Sequence, residues 1–180
     1  DLAARISDAL GLLFAALLGL FQIRHLLHGG DILATNSDHV EQGLTAFMSL
    51  AFSIVLARLD LGRRNIIFRI ASYIAAIISA EIAVLGLGLF ANPLFDGAIV
   101  RGPIVFSSLM LAYLIPGLAA VVLARTARGV RPAWFVTGAA LLAIALMFGY
   151  VTLEVRHIFQ GERIGFLQST GSAELWAYSA

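Results

Sequence analysis

The sequence contains no cysteine and no lysine. Without cysteine there can be no disulfide, no thiolate zinc site and no cysteine-ligated iron–sulfur cluster. The 12 basic residues are all arginines and stand against 11 acidic ones, for a formal net charge of +1. That balance carries no polybasic footprint, so no nucleic-acid partner is expected. Charge of either sign is scarce, at 13% of 180 residues, where a soluble domain carries about 25%. What fills the chain is apolar: 60% of residues are hydrophobic, and the mean hydropathy is +0.92. A soluble globule of this composition would leave its surface apolar and aggregate. Disorder is excluded, because disordered chains are poor in apolar residues. The class that remains is an all-α, polytopic transmembrane helix bundle whose first partner is the lipid bilayer.

A spanning helix needs about 20 mostly apolar residues. Cutting the chain at charged and turn-forming positions predicts five spans, near residues 8–27, 41–57, 66–91, 102–124 and 132–159. The third carries Glu81 and stops before Asn92-Pro93, a helix-ending pair. The fourth contains Pro116-Gly117, which predicts a kink. A sixth helix starts at 172–180. Two turns cannot span a bilayer, and the chain opens on Asp1 rather than methionine. Residues 1–180 are therefore expected to be one module of a longer chain, with the remainder of that chain, and other membrane subunits, as partners.

Arginine placement gives an orientation. Arg58, Arg63, Arg64 and Arg69 flank the second loop, and Arg125, Arg128 and Arg131 fill the fourth. Residues 29–40 have none, and 92–101 and 160–171 have one each, Arg101 and Arg163. The positive-inside rule places the arginine-rich loops and the N-terminus in the cytoplasm.

The first span ends Arg24-His25-Leu26-Leu27-His28-Gly29, and the fifth ends Arg156-His157-Ile158-Phe159-Gln160-Gly161. From Arg24 to Glu41 is 17 residues, and from Arg156 to Glu174 is 18. Matching pattern, depth, direction and loop length predict a parallel internal repeat, with His25 and His157 in an outer helix-end motif. Leu153-Glu154-Val155-Arg156, then a loop, then Glu174-Leu175-Trp176-Ala177-Tyr178-Ser179 resembles a bacterial family of large, many-spanning membrane proteins, domain of unknown function 2339. The resemblance is specific over residues 150–180, weaker over 20–50, and rests on hydropathy between them. It implies an inner-membrane protein with further spans and supplies no reaction.

Glu81 is the sharpest candidate for chemistry. It lies 15 residues into its span, about 22 Å along the axis. A carboxylate there costs a few kcal/mol on insertion scales and marks an ion or proton site unless it is paired or kept neutral. Arg24 and Arg156 share its displacement toward the outer side. The expected site is a charged cluster of Glu81, Glu154, Arg24 and Arg156, against the plainer reading that both arginines reach for lipid phosphate. His25, His28 and His39 crowd one loop with Asp31, Asp38 and Glu41, but without metal-ligand spacing. No metal, no cofactor and no catalytic residue is assigned, and no enzyme motif is present. Ala71, Ala75, Ser79 and Ala83 form a small-residue stripe suited to close helix packing. Trp134 and Tyr150 are placed as aromatic anchors at the two membrane edges. Two functions stay open: transport or envelope assembly worked by the charged cluster, and a scaffold that holds subunits through small-residue faces. An embedded enzyme on lipid-linked substrates would need a carboxylate pair such as Glu81 with Glu154.

Overall fold

The computed structural model describes residues 2–179, and for Arg63 the backbone alone. Asp1, Ala180 and the side chain of Arg63, which the sequence reading placed in the chain's opening, its sixth helix and its arginine-rich loop, lie outside the described residues. Helix α1 covers Leu2–Leu27, α2 His39–Arg63 and α3 Ile66–Glu81. A π-helical segment, Ile82–Phe90, continues α3, and a single turn, α4 (Pro93–Asp96), follows. A second π segment, Met110–Leu114, runs into α5 (Ile115–Ala127). Helix α6 covers Ala133–Gln160, and α7 covers Ser172–Ser179. Five of these stretches are long and apolar enough to cross a membrane, as the hydropathy predicts.

Local chemistry sets the boundaries. Asp38 caps α2 by accepting the Glu41 N–H, and Asn65 caps α3 by accepting that of Ile67. Such caps satisfy amides that a helix start leaves open. Between α2 and α3, Arg64 turns the chain in the left-handed region at φ +47°. The fourth spanning helix begins at Met110 rather than at Gly102 as expected. Residues 101–107 form a loop, with Gly102 and Val105 at φ +102° and +74°, a conformation no helix can contain.

The π segments solve two packing problems. Pro116 has no N–H, and its ring would clash with the carbonyl four residues back in a regular helix. In the widened turn before it, the Ile115 N–H reaches one residue further back than in an α-helix and donates to Met110 O. At the end of the first π segment the Ala91 N–H likewise donates to Gly86 O at 2.7 Å. The two segments touch through Tyr113, whose hydroxyl donates to Leu87 O at 2.8 Å. Helix α2 presses against the second one at Gly43, where a Cβ would stand 2.3 Å from Ala112 Cα.

Helices α2, α3, α5 and α6 form the packed body. Its core includes Leu50, Leu87, Leu109, Leu123, Leu146 and Leu153. Between α2 and α3, Ser53 Oγ donates to Ser72 O at 2.8 Å and Ser72 Oγ to Ser53 O at 3.1 Å. Ser79 donates to Ala46 O at 3.0 Å. Small hydroxyl residues let backbones approach and join them across an apolar medium. Of the predicted stripe, Ser79 and Ala83 are buried, whereas Ala71 and Ala75 line an apolar groove beside Ala9, Leu12 and Ala16 of α1. Helix α1 lies at the margin and fully buries no described residue.

Gly43→Ala is expected to destabilise the protein by about 2–3 kcal/mol, because the obstacle is backbone and cannot rotate away. Thermal unfolding in detergent, compared with wild type, checks this.

Candidate functional site: paired clasps and a polar belt at one end of the bundle

The loops 28–38, 97–109 and 161–171 gather at one end of the bundle, and the loops joining α2 to α3 and α5 to α6 at the other. The first end is built on two arginines. Arg156, buried near the C-terminus of α6, is enclosed by the loop that follows it. Its Nε donates to Ile164 O at 2.7 Å, and Nη2 to Gly165 O and Gln168 O at 3.0 Å each. Nη1 reaches the Thr170 hydroxyl at 3.3 Å and pairs with Glu174 Oε1 at 3.0 Å. Glu174 is 1% exposed, and its second oxygen accepts from Gln160 Nε2 at 2.8 Å. Every donor of the guanidinium fork thus has a partner, the condition under which a buried charge is tolerable.

Arg24 repeats the plan. Its Nε donates to Ile32 O at 3.0 Å and its Nη2 to Ala34 O. Nη1 pairs with Glu41 Oε1 at 3.1 Å. Glu41 Oε2 meets His28 Nε2 at 2.9 Å. The offsets correspond: Nε to an isoleucine carbonyl eight residues on, and the carboxylate's second oxygen to a side chain four residues on, His28 or Gln160. Both glutamates stand third in the next helix, where the helix dipole favours negative charge. The loops between are eleven residues each, 28–38 and 161–171.

The predicted cluster is thereby distributed. Arg24 and Arg156 each close on the glutamate that opens the following helix, and the structure does not bring Glu81 to either. Glu81 stands on an exposed face where α3 passes into its π segment. It makes no hydrogen bond or ion pair among the described residues. Glu154 is buried and turned to the loop before α5, accepting the Val105 N–H and the Ser107 hydroxyl at 2.7 Å each. Tyr150, expected as an aromatic anchor at the outer membrane edge, is buried and donates to Val105 O at 2.8 Å. Glu154 and Tyr150 together hold both polar groups of a residue with left-handed backbone. His157 is buried, with Nδ1 2.8 Å from Gly161 O. Its counterpart His25 is exposed. The other histidines of the first loop diverge, His28 to Glu41 and His39 to Ser108.

The sequence reading missed Asp60. It is buried at the opposite end and ties the two arginine-rich loops together, accepting from Arg131 at 2.9 Å and Arg69 at 3.1 Å. Arg131 also lies over the Tyr73 ring, 5.0 Å from its centre. Trp134 is exposed beside that ring, as an edge anchor would be. The signal available was an acidic residue standing alone among arginines.

Long apolar helices whose charges, Glu81 apart, lie toward their ends, cross-helix serine bonds and no strand among the described residues define a multi-pass helical membrane protein. Lipid is the environment of its exposed apolar faces. The family described as "Predicted membrane protein (DUF2339)" matches residues 1–180, and the chain belongs to that family. No curated protein and no solved structure matches it.

Arg156→Ala strands a buried carboxylate and should cost about 3–5 kcal/mol. Arg24→Ala should cost less, since its side chain is 24% exposed against 9% for Arg156. His28→Gln should change stability by under about 1 kcal/mol, because glutamine already does this work at position 160. Unfolding curves of the three variants check the order.

Proposed function

We propose that the chain is a multi-pass module of a bacterial inner-membrane protein working in transport or envelope assembly, with Glu81 as its working carboxyl. One observation carries this reading. Glu81 is the acidic side chain within a span that the bundle leaves exposed and without a partner among the described residues. It stands at an α-to-π junction, a geometry frequent at functional sites. An unpaired carboxylate within the bilayer costs about 3 kcal/mol. A fold that gives each of its buried acids, Glu41, Asp60, Glu154 and Glu174, a bonding partner has reason to keep this exposed one only if something uses it. An ion, a proton, or a cation from the remainder of the chain would meet it there.

The same proposal places the clasp end outside and the N-terminus in the cytoplasm. Support comes from Arg58, Arg64, Arg69, Arg125, Arg128 and Arg131, which all belong to the opposite end. It also takes α1–loop–α2 and α6–loop–α7 as two copies of one parallel repeat. The shared clasp offsets support that, as does the equal length of the two loops.

A scaffold without transport is the second reading. It is favoured by the saturation of Arg156, which leaves that cation nothing further to bind.

Glu81→Gln in the full-length protein separates the two. Normal membrane abundance with a growth defect under pH or envelope stress is the expected result. Unchanged growth would remove Glu81 from the mechanism. Under the scaffold reading, Ser79→Leu would break assembly while Glu81→Gln stayed silent, and co-purification of the assembled protein checks that arm.

A further inference from the structure

The clasp end holds a hydroxyl–imidazole pair that neither the clasps nor Glu81 use. His39 is the first residue of α2, and Ser108 lies just before the second π segment. Across 69 residues of sequence, His39 Nε2 comes within 2.8 Å of Ser108 Oγ. His39 is 2% exposed, and its Nδ1 has no hydrogen-bond partner among the described residues. The pair lines a cavity of about 230 Å³ together with Asp38, Ala98, Ile99 and Arg101. From this geometry we infer that Ser108 is a nucleophile and His39 its general base, in an acyl-transfer site for short-chain esters reached from the clasp end.

Ser108 Oγ accepts the Arg101 N–H at 3.2 Å, which leaves the hydroxyl proton free to point at His39 Nε2. In the proposed site the hydroxyl donates to Nε2, so the imidazole's own proton is on Nδ1 and Nε2 is the basic nitrogen. A base within about 3.2 Å of the hydroxyl is the geometric requirement for activating it.

The surroundings hold the serine still and favour negative charge. Ser108 N–H donates to Arg101 O at 2.7 Å, closing the loop 101–108 on itself. Glu154 and Tyr150 fix Val105 within that loop, and Glu154 also takes the Ser107 hydroxyl. A left-handed β-branched residue held from both sides is the kind of strain a fold keeps at sites where position matters. The pair sits where the N-termini of α2 and of the fourth spanning helix meet. Their dipoles, with the Arg101 guanidinium at the cavity wall, favour an oxyanion. Asp38 and Asp96 are the acids that face His39, and each is engaged by a backbone N–H, of Glu41 and Ala98 respectively.

The reaction balances without a metal or redox partner. Ser108 Oγ adds to the ester carbonyl carbon as its proton passes to His39 Nε2. The tetrahedral oxyanion collapses, the bond to the leaving alcohol breaks, and His39 returns the proton to the departing alkoxide. Water or a second alcohol, deprotonated by His39, then attacks the acyl group on Ser108. The products are a carboxylic acid or a new ester and the free serine. This activity goes beyond the proposed function and does not depend on Glu81.

The test is covalent labelling of the full-length protein in lipid nanodiscs with a fluorophosphonate, mapped by mass spectrometry. An adduct on Ser108 is expected, lost in Ser108→Ala. In His39→Gln, the labelling rate should fall at least about 100-fold, the usual contribution of a positioned base. Wild type without an adduct on Ser108 would overturn the inference, as would an unchanged rate in His39→Gln. Heat-denatured wild type carries the same test should that variant unfold: labelling of Ser108 must vanish on denaturation. An adduct that persists, or that forms equally on Ser169, is ordinary hydroxyl chemistry and overturns the assignment.

Discussion

A guanidinium near an apolar helix end must find acceptors for all its N–H groups, because the medium around it supplies few. The clasp end depends on that requirement at Arg156. One carboxylate cannot satisfy five donors, so the loop after α6 folds back and presents the carbonyls of Ile164, Gly165 and Gln168. Once so bent, the loop has its own edge to pair. Val100 N–H donates to Glu162 O, and Phe166 N–H to Leu94 O, joining it to the segment before α5.

Inside the bundle the controlling constraint is close approach. Gly43 lets α2 lie on Ala112, and Gly117 lets α5 lie on α6, where a Cβ would come 3.3 Å from Leu146 Cβ. Pro116 then removes one backbone donor from the helix that must make both contacts. The π turn before it is the consequence, and the neighbouring π segment offers the Leu87 carbonyl that Tyr113 takes. Irregular backbone at this depth survives because the widened turns still satisfy their own amides, as Ala91 N–H does with Gly86 O and Ile115 N–H with Met110 O.

Hydropathy and breaker residues are one-dimensional signals, and what they predict is one-dimensional: five spans, their order, and the alternation of arginine-rich and arginine-poor loops. The matched ends at Arg24 and Arg156 were legible too, together with the spacing to Glu41 and Glu174. Their pairing was not, because depth along an axis says which residues share a layer and nothing of which face they occupy. By depth Glu81 is a natural partner for both arginines, yet it points away from the protein. The start of the fourth spanning helix was misplaced for a related reason. Ile104, Val105 and Phe106 read as membrane by hydropathy, while Glu154 and Tyr150, which hold that loop, lie 45 or more residues downstream. His39 and Ser108 carry no spacing pattern at all. Asp60 was hidden by its company, since one acid among arginines looks like a loop residue until a second loop closes over it.

The distribution of satisfied and unsatisfied charge is the argument for function. At one end Glu41, Glu154 and Glu174 are buried and bonded, and at the other Asp60 takes two arginines. These acids organise loops, so their worth is structural and local. Glu81 organises nothing among the described residues. It sits in a span, on an exposed face, where glutamate is among the costlier residues a membrane helix can carry. Packing alone would be served as well by leucine or alanine. Under the proposed function the carboxyl draws its value from something that is not in this bundle at every moment: a proton, a cation, or the positive group of another helix. Each of these meets Glu81 from outside the packed body, which is the direction its side chain already faces.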